Sequence, residues 1–266
     1  DGRRNPEVEK YQDRLFLPQM TEDVEVLSLA FFLSDDEKYA IHATKLISTW
    51  FLETETKMNP NFNFAQAIKG ENEGRGAGLV ESRHFITVIE SVKLLNGSKS
   101  WTITRDDALK KWFAEFLNWM QTSPNGLDEI DAPNNHGTWY DAQRLSFAIY
   151  SGQIELAKSI GNNVIQRLDK QMNDEGSFPK ELERTIALHY STFNLYAFFV
   201  ASELAESVGV DIWNTQTSSS KSLKKGFDYL YPYITKEKKW KGQQIKPFDF
   251  KEPAPLLLKA SVKLNC

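Results

Sequence analysis

An all-α fold is what this chain of 266 residues predicts, either an α/α toroid of helical hairpins or an irregular helical bundle. Three observations carry that expectation. Apolar residues recur at helical spacing along most of the chain. Short turns of Ser, Asp, Asn or Gly separate successive helical stretches. No stretch alternates with the period of two that marks a half-buried strand.

Taken in order, Val24–Leu33 repeats apolar character at Val26, Leu27, Leu29, Ala30 and Leu33. Ser34-Asp35-Asp36-Glu37 supplies a turn and a helix start signal. After it, Tyr39, Ala43, Leu46, Ile47, Trp50 and Phe51 fall on one stripe of a helix of about four turns, so the two stretches form a hairpin. Leu79–Leu95 ends at Asn96-Gly97, and Arg105–Met120 carries Leu109, Trp112, Phe113, Phe116, Leu117 and Met120 on its apolar face. His136–Tyr150 ends at Ser151-Gly152 and is followed at once by Gln153–Leu168. Thr185–Val208 ends at Gly209, and Ser220–Tyr231 ends at Pro232. That makes about eight helices with no strict repeat period. No Pro-, Gly- or Ser-rich linker divides the chain, so residues 1–266 read as one domain.

Composition narrows the function. A chain of this length buries a sizeable core, and with 41% hydrophobic and 26% charged residues it is neither disordered nor collagen-like. Its 32 Lys and Arg against 36 Asp and Glu leave a net charge of −4, which argues against a nucleic-acid partner while allowing a local basic cleft. No apolar run approaches the ~20 residues of a membrane span. The single cysteine, Cys266, excludes intramolecular disulfides and thiolate metal sites. Asp1-Gly2-Arg3-Arg4-Asn5-Pro6 has no apolar signal core.

Two stretches interrupt the helical pattern. Met58–Gly78 ends in Gly-Arg-Gly-Ala-Gly, but it follows no strand and lacks the Lys-Ser/Thr ending of a phosphate-binding loop. Asp128–Tyr140 reads as a polar loop feeding a helix, the kind of segment where sites sit in compact helical domains. Of the four histidines, His42 lies off its helix stripe and His84 stands near a helix start, and both suit structural or surface roles. His136 differs. It follows Asn134-Asn135 and precedes Gly137, Thr138, Trp139 and Tyr140, so carboxamides, an imidazole and two aromatics stand together. Such a set can bind a polar ligand and stack on it; the plain alternative is a helix cap at Asn135 beside a packed histidine. The second dense cluster is Arg184–Tyr190, with His189 next to the tyrosine. At ~100° per residue, Arg184 and Tyr190 lie on different helix faces if both are helical. They converge only if Arg184 belongs to the loop after Phe178-Pro179. No HExxH motif and no GxSxG elbow is present, so metal and serine-nucleophile chemistry have no support.

Asn134-Asn135-His136-Gly137-Thr138-Trp139-Tyr140-Asp141 resembles the signature of the alginate lyase superfamily of polysaccharide lyases. Arg184–Tyr190, running on into Ser191, is similar to that superfamily's second catalytic segment. Thr49-Trp50-Phe51-Leu52, Met58-Asn59-Pro60-Asn61, Ala65-Gln66-Ala67 and the Gly-Arg-Gly segment resemble it too. The matches run in order from Asp1-Gly2 to beyond Tyr190, whereas the last ~60 residues carry no recognised motif. The resemblance implies an α/α toroid, an upstream segment that relatives have and this chain lacks, and a secreted or periplasmic setting. It also implies β-elimination on an anionic polysaccharide without metal or cofactor. Loss of the C5 proton of a uronate creates an enolate-like dianion, so the carboxylate must first be neutralised. Asn135 and His136 take that role by analogy, with Gln66 assisting. Tyr190 is the candidate for both base and acid when H5 and O4 lie on the same side, as in mannuronate and glucuronate. A phenol of ordinary pKa, ~10, is a poor base at neutral pH, so an adjacent cation is needed, and Arg184 is that candidate. Asn134, His189, Arg75 and Arg144 are expected to help bind the polymer, and Trp139 and Tyr140 to offer stacking faces. Asp141 is expected to orient its neighbours. Two rival readings are a glycoside hydrolase on the same fold, which needs two carboxylates across the bond, and a non-catalytic carbohydrate-binding protein.

Overall fold

The computed structural model describes residues 10–264, so Asp1–Pro6 and Cys266 lie outside the described residues. Among these, eleven α-helices account for the regular structure, joined by one 3-10 segment; only two isolated bridges, Ile68 with Asn72 and Ile186 with Gln244, have β character. The all-α class expected from the periodicity is observed. No helix of the described residues is long and apolar enough to cross a membrane. The chain forms two compact units, residues 10–127 with 146–152, and residues 128–145 with 153–264.

In the first unit, α1 (Asp13–Ser34) packs against α2 (Glu37–Phe51) and α3 (His84–Leu94). Helix α1 begins well before Val24. Its extra turns bury Leu17, Met20 and Thr21, but Leu15 and Phe16 beside them are exposed, which blurs the apolar stripe in the sequence. Asp35, in the left-handed region at φ 55°, closes α1. The carboxylate of Asp36 then accepts from the Lys38 amide at 3.1 Å to open α2. Of the expected stripe, Ala43 and Ile47 are fully buried and Phe51 nearly so, whereas Tyr39, Leu46 and Trp50 are half-buried and Ala40 completes the inward face. The stretch expected as one helix from Leu79 is instead a 3-10 segment, Gly76–Arg83, leading into α3. A Cβ on Gly78 would stand 2.5 Å from the Ala65 Cβ, so the polar stretch presses on the chain there. Burial pushes His84 down to about 4, which leaves it neutral at pH 7. Helix α4 (Ile103–Thr122) brings Trp112, Phe113 and Phe116 into an aromatic core with Phe51 and Phe85. Its indoles also hold the 58–63 stretch: Trp112 donates to the Met58 carbonyl and Trp119 to Asn63 Oδ1, both at 2.9 Å.

Glu37, at the start of α2, ties that hairpin to the turn before α4. It accepts from the Ser98 hydroxyl at 2.8 Å, the Ser100 hydroxyl at 2.6 Å and the Ser100 amide at 2.8 Å. These bonds, the Ser100 hydroxyl foremost, draw its carboxyl from 4.5 down to about 2. A carboxylate with a depressed folded-state pKa stabilises above its unfolded value and loses that contribution as pH falls through the folded one. Glu37→Gln should therefore be less stable than the parent protein at neutral pH, with the gap closing between about pH 4.5 and 2. Urea unfolding across that window checks it, and a gap independent of pH would contradict it.

The second unit is built around α9 (Ala187–Glu206), which packs against α7 (Ile154–Gln171), α8 (Pro179–Leu182), α10 (Leu223–Ile234) and α11 (Ala254–Lys263). Leu195, Ala197, Phe198, Phe199 and Ala201 have no exposed surface, the signature of a helix apolar all round and enclosed by others. Helices α5 (Pro124–Ile130), α8 and α11 were not expected from the pattern. Helix α10 continues past Pro232 to Ile234. Helix α6 (Asn135–Tyr150) begins inside the stretch expected as a loop to Tyr140, and α5 converts its first part, through Ile130, into helix.

Candidate active site

The first cluster forms at the start of α6. Asn134, rather than Asn135, caps the helix, because its Oδ1 accepts from the His136 amide at 3.1 Å. Asn135 is buried, at 1% exposure, and is held by Glu181 of α8. Its backbone amide donates to Oε1, and its Nδ2 lies 3.0 Å from both carboxylate oxygens. Two oxygens of one carboxylate subtend a much smaller angle than two amide hydrogens do. One N–H is therefore shared between them, and the second points away from Glu181. Burial pushes the Glu181 carboxyl above the usual carboxylate range, opposed by the Asn135 hydrogen bonds and by the charges of Arg184 and His136. His136 sets its Nδ1 2.7 Å from Glu129 Oε1 of α5, with a fifth of its side chain exposed.

Behind these residues lie two further tethers from α7. Gln171 donates to the Asn134 carbonyl at 2.9 Å and accepts from Thr138 at 3.2 Å and Asn194 at 2.9 Å. The Arg167 guanidinium bonds Asp141 Oδ2 at 2.6 Å and the carbonyls of Ile130 and Ala132 at 2.8 and 3.0 Å. A Cβ on Gly137 would lie 2.1 Å from Arg167 Nη1, so only glycine lets this guanidinium reach the loop.

The second cluster meets the condition set by the helical geometry. Arg184 lies in the non-helical segment between α8 and α9, and its guanidinium sits 3.8 Å from the centroid of the Tyr190 ring in the first turn of α9. The C-terminal region pins this segment. Ile245 donates to the Thr185 carbonyl and Ala187 to the Gln243 carbonyl, both at 2.9 Å. His189 pairs through Nδ1 with Glu252 at 2.6 Å and packs edge-on against Tyr190. Glu181 joins the two clusters, since it binds Asn135 and feels the charges of both His136 and Arg184.

Other expected ligand contacts fall elsewhere. Trp139 and Tyr140 are 4% and 0% exposed, so they are core residues and offer no stacking face; Trp139 packs on Phe193 and Tyr196. Arg144 is also buried. It lies 3.5 Å from Asp141, with its guanidinium over the Tyr140 ring, and presents no charge to a polymer. Together with Arg167 it lines a cavity of about 340 Å³ that includes none of Asn135, His136, Arg184 and Tyr190. Gln66 and Arg75 belong to the first unit, where Arg75 donates to Gln66 Oε1 at 3.0 Å and both are exposed. Gln66 is held at φ 51°, a left-handed conformation uncommon for a residue other than glycine. Among the described residues no group of three His, Cys, Asp or Glu could hold a metal ion. Sequence reasoning missed Glu129, Glu181, Arg167 and Gln171. Only the spacing of Glu129, one helix start before His136, was a usable signal.

Comparison with known proteins shows the family. The alginate lyase family model matches residues 1–240. The chain is 38% identical to an alginate lyase from Bacteroides ovatus of known crystal structure, with a TM-score of 0.93, covering 98% of this chain and 70% of that one. A likeness of that extent shows the same α/α-toroid fold. Two structures of alginate lyase A1-III are similar at 15% identity. One is a histidine-to-alanine variant complexed with a tetrasaccharide, with a TM-score of 0.65 over 91% of this chain and 67% of that one. The other is the enzyme from Sphingomonas species A1, with a TM-score of 0.64 over 89% of this chain and 63% of that one. No curated protein sequence matches the chain.

Proposed function

From the premise that this chain belongs to the alginate lyase family and is a polysaccharide lyase, we propose that it cleaves β-1,4-linked mannuronate or glucuronate polymers by β-elimination, with Tyr190 moving the proton. The observation that supports this reading is Glu181, which binds Asn135 and feels the charges of His136 and Arg184, the latter lying against the Tyr190 ring. In the proposed reaction His136 and the second N–H of Asn135, the one not given to Glu181, hydrogen-bond the uronate carboxylate and stabilise the charge that develops on it. The Tyr190 phenolate, whose ring centroid lies 3.8 Å from the Arg184 guanidinium, takes the proton from C5. The C5–H electrons become the C4=C5 double bond, the C4–O4 bond breaks, and the new phenol O–H protonates the departing O4. Base and acid are thus one group, restored after each turnover. No step calls on a metal.

The glycoside hydrolase alternative finds less support. The carboxylates bonded to the site, Glu129 and Glu181, are not among its sequence candidates Glu81, Asp128, Asp131, Asp141 and Glu183; they are 4% and 0% exposed and engaged by His136 and Asn135. Among the other binding assignments, Asn134 acts as a cap, while His189, Gln66 and Arg75 retain exposed surface and remain candidates for contact with an anionic polymer. A polymer of this kind is met outside the cytoplasm, which suits a secreted or periplasmic enzyme. The test is incubation with polymannuronate, glucuronan and polyguluronate while ultraviolet absorbance is followed. A lyase leaves an unsaturated, absorbing sugar end and a hydrolase does not. Absorbance should rise with the first two polymers, in the presence of a strong chelator as well, and little with the third. Faster turnover of polyguluronate, or cleavage without absorbance, would remove the proposal.

A further inference from the structure

Glu129 is 4% exposed and has one polar partner that matters chemically, Nδ1 of His136 at 2.7 Å. Helix α5, which the sequence pattern did not show, delivers it there from seven positions upstream. An ionised carboxylate can only accept hydrogen bonds, so the hydrogen on this contact belongs to Nδ1. Which ring nitrogen of a histidine carries its proton is set by the bond the other nitrogen makes.

We infer that Glu129 is a positioning residue that holds the His136 proton on Nδ1 and thereby decides what Nε2 can present to a substrate. The inference rests on the reading of His136 given above. With Nδ1–H committed to Glu129, the neutral ring has a bare lone pair at Nε2, which would repel a uronate carboxylate. Only the imidazolium offers an N–H at Nε2, and it offers a full positive charge with it. Glu129, 2.7 Å from Nδ1, is thus placed to orient the ring and to act as counter-ion to its charged form. Other charged groups near the pair include Glu181 of α8, which feels both His136 and Arg184, and Asp141, Arg144 and Arg167, which act with Glu129 on Tyr140. The arrangement parallels metal-binding and catalytic histidines, where a carboxylate partner fixes tautomer and ring orientation and its loss costs about 10–100-fold in function.

Nitrogen-15 NMR of histidine-labelled protein reads the tautomer directly, without substrate, and a His136→Gln sample assigns the signal. In the parent protein at alkaline pH the His136 ring should be protonated at Nδ1 and bare at Nε2. In Glu129→Gln, whose amide can donate as well as accept, the Nε2–H tautomer should appear, and turnover should fall about 10–100-fold. Glu129→Asp keeps a carboxylate and should retain more of the Nδ1–H form and more activity than Glu129→Gln. The inference is overturned by an Nε2–H ring in the parent protein, by Glu129→Gln leaving both tautomer and turnover unchanged, or by Glu129→Asp doing no better than Glu129→Gln. If the parent ring is protonated at Nδ1 but no uronate polymer is cleaved, the proposed function fails while the role of Glu129 in setting the tautomer stands.

Discussion

Tyr190→Phe should reduce turnover of polymannuronate or glucuronan by at least ~10²-fold, the scale of a positioned acid–base group, while leaving the fold intact. The substitution removes one oxygen and keeps the ring. The surfaces that hold Tyr190 are ring surfaces: the Arg184 guanidinium 3.8 Å from the ring centroid and the His189 ring, edge-on at 5.3 Å. Phenylalanine preserves both contacts, and the side chain is only half-buried, so little stability is at stake. A urea unfolding midpoint close to that of the parent protein, together with the collapse of ultraviolet product formation, is the expected pair of results. A folded Tyr190→Phe protein with near-parental turnover would leave the proposed reaction without its proton carrier.

Arg167→Met is expected to have the largest effect on stability, about 3 kcal/mol or more, the usual consequence of leaving one member of a buried ion pair without its partner. Asp141, with 3% of its side chain exposed, would lose its 2.6 Å bond and keep only Arg144 at 3.5 Å. The carbonyls of Ile130 and Ala132 would lose their donor at the same time. Methionine fills similar volume, so the loss reports charge and hydrogen bonds more than a cavity. Because those carbonyls lie on the loop that leads into Asn134–His136, turnover should fall as well. Removing the stranded charge in Arg167→Met/Asp141→Asn should recover part of the stability, as a coupled pair requires. An unchanged unfolding midpoint for Arg167→Met would show that the guanidinium contributes nothing net to the loop.

The longer helices were legible in the sequence because their signals are local. The Ser34–Glu37 start signal and the Ala43-Ile47-Phe51 part of the stripe mark α2, and the Leu109-Trp112-Phe113-Phe116 run marks α4, although the expected start at Arg105 misses its Thr102 cap. Helices of four, seven and ten residues, as in α8, α5 and α11, contain too few turns for a period to show. The missed helices matter for function, since α5 carries Glu129 and α8 carries Glu181. The polar clusters at Asn134–His136 and Arg184–Tyr190 stood out as residue types seldom crowded together without a purpose. The partners of those clusters did not stand out.

By itself, then, the sequence determined the helical class, the principal helix starts and the chemical identity of both polar clusters. Each rests on backbone hydrogen bonding, capping and apolar spacing among residues a few positions apart. Only the tertiary structure decided which donors meet which acceptors. Asn135 finds Glu181 across 46 positions, Gln171 reaches Asn134 across 37, and Arg167 reaches Asp141 across 26. It alone sent Trp139, Tyr140 and Arg144 inward, away from the solvent where a sugar would meet them. The physical reason is that burial and charge compensation depend on distance in space. A carboxylate withdrawn from water must find its partner wherever the packed helices bring one, and no local spacing records where that is.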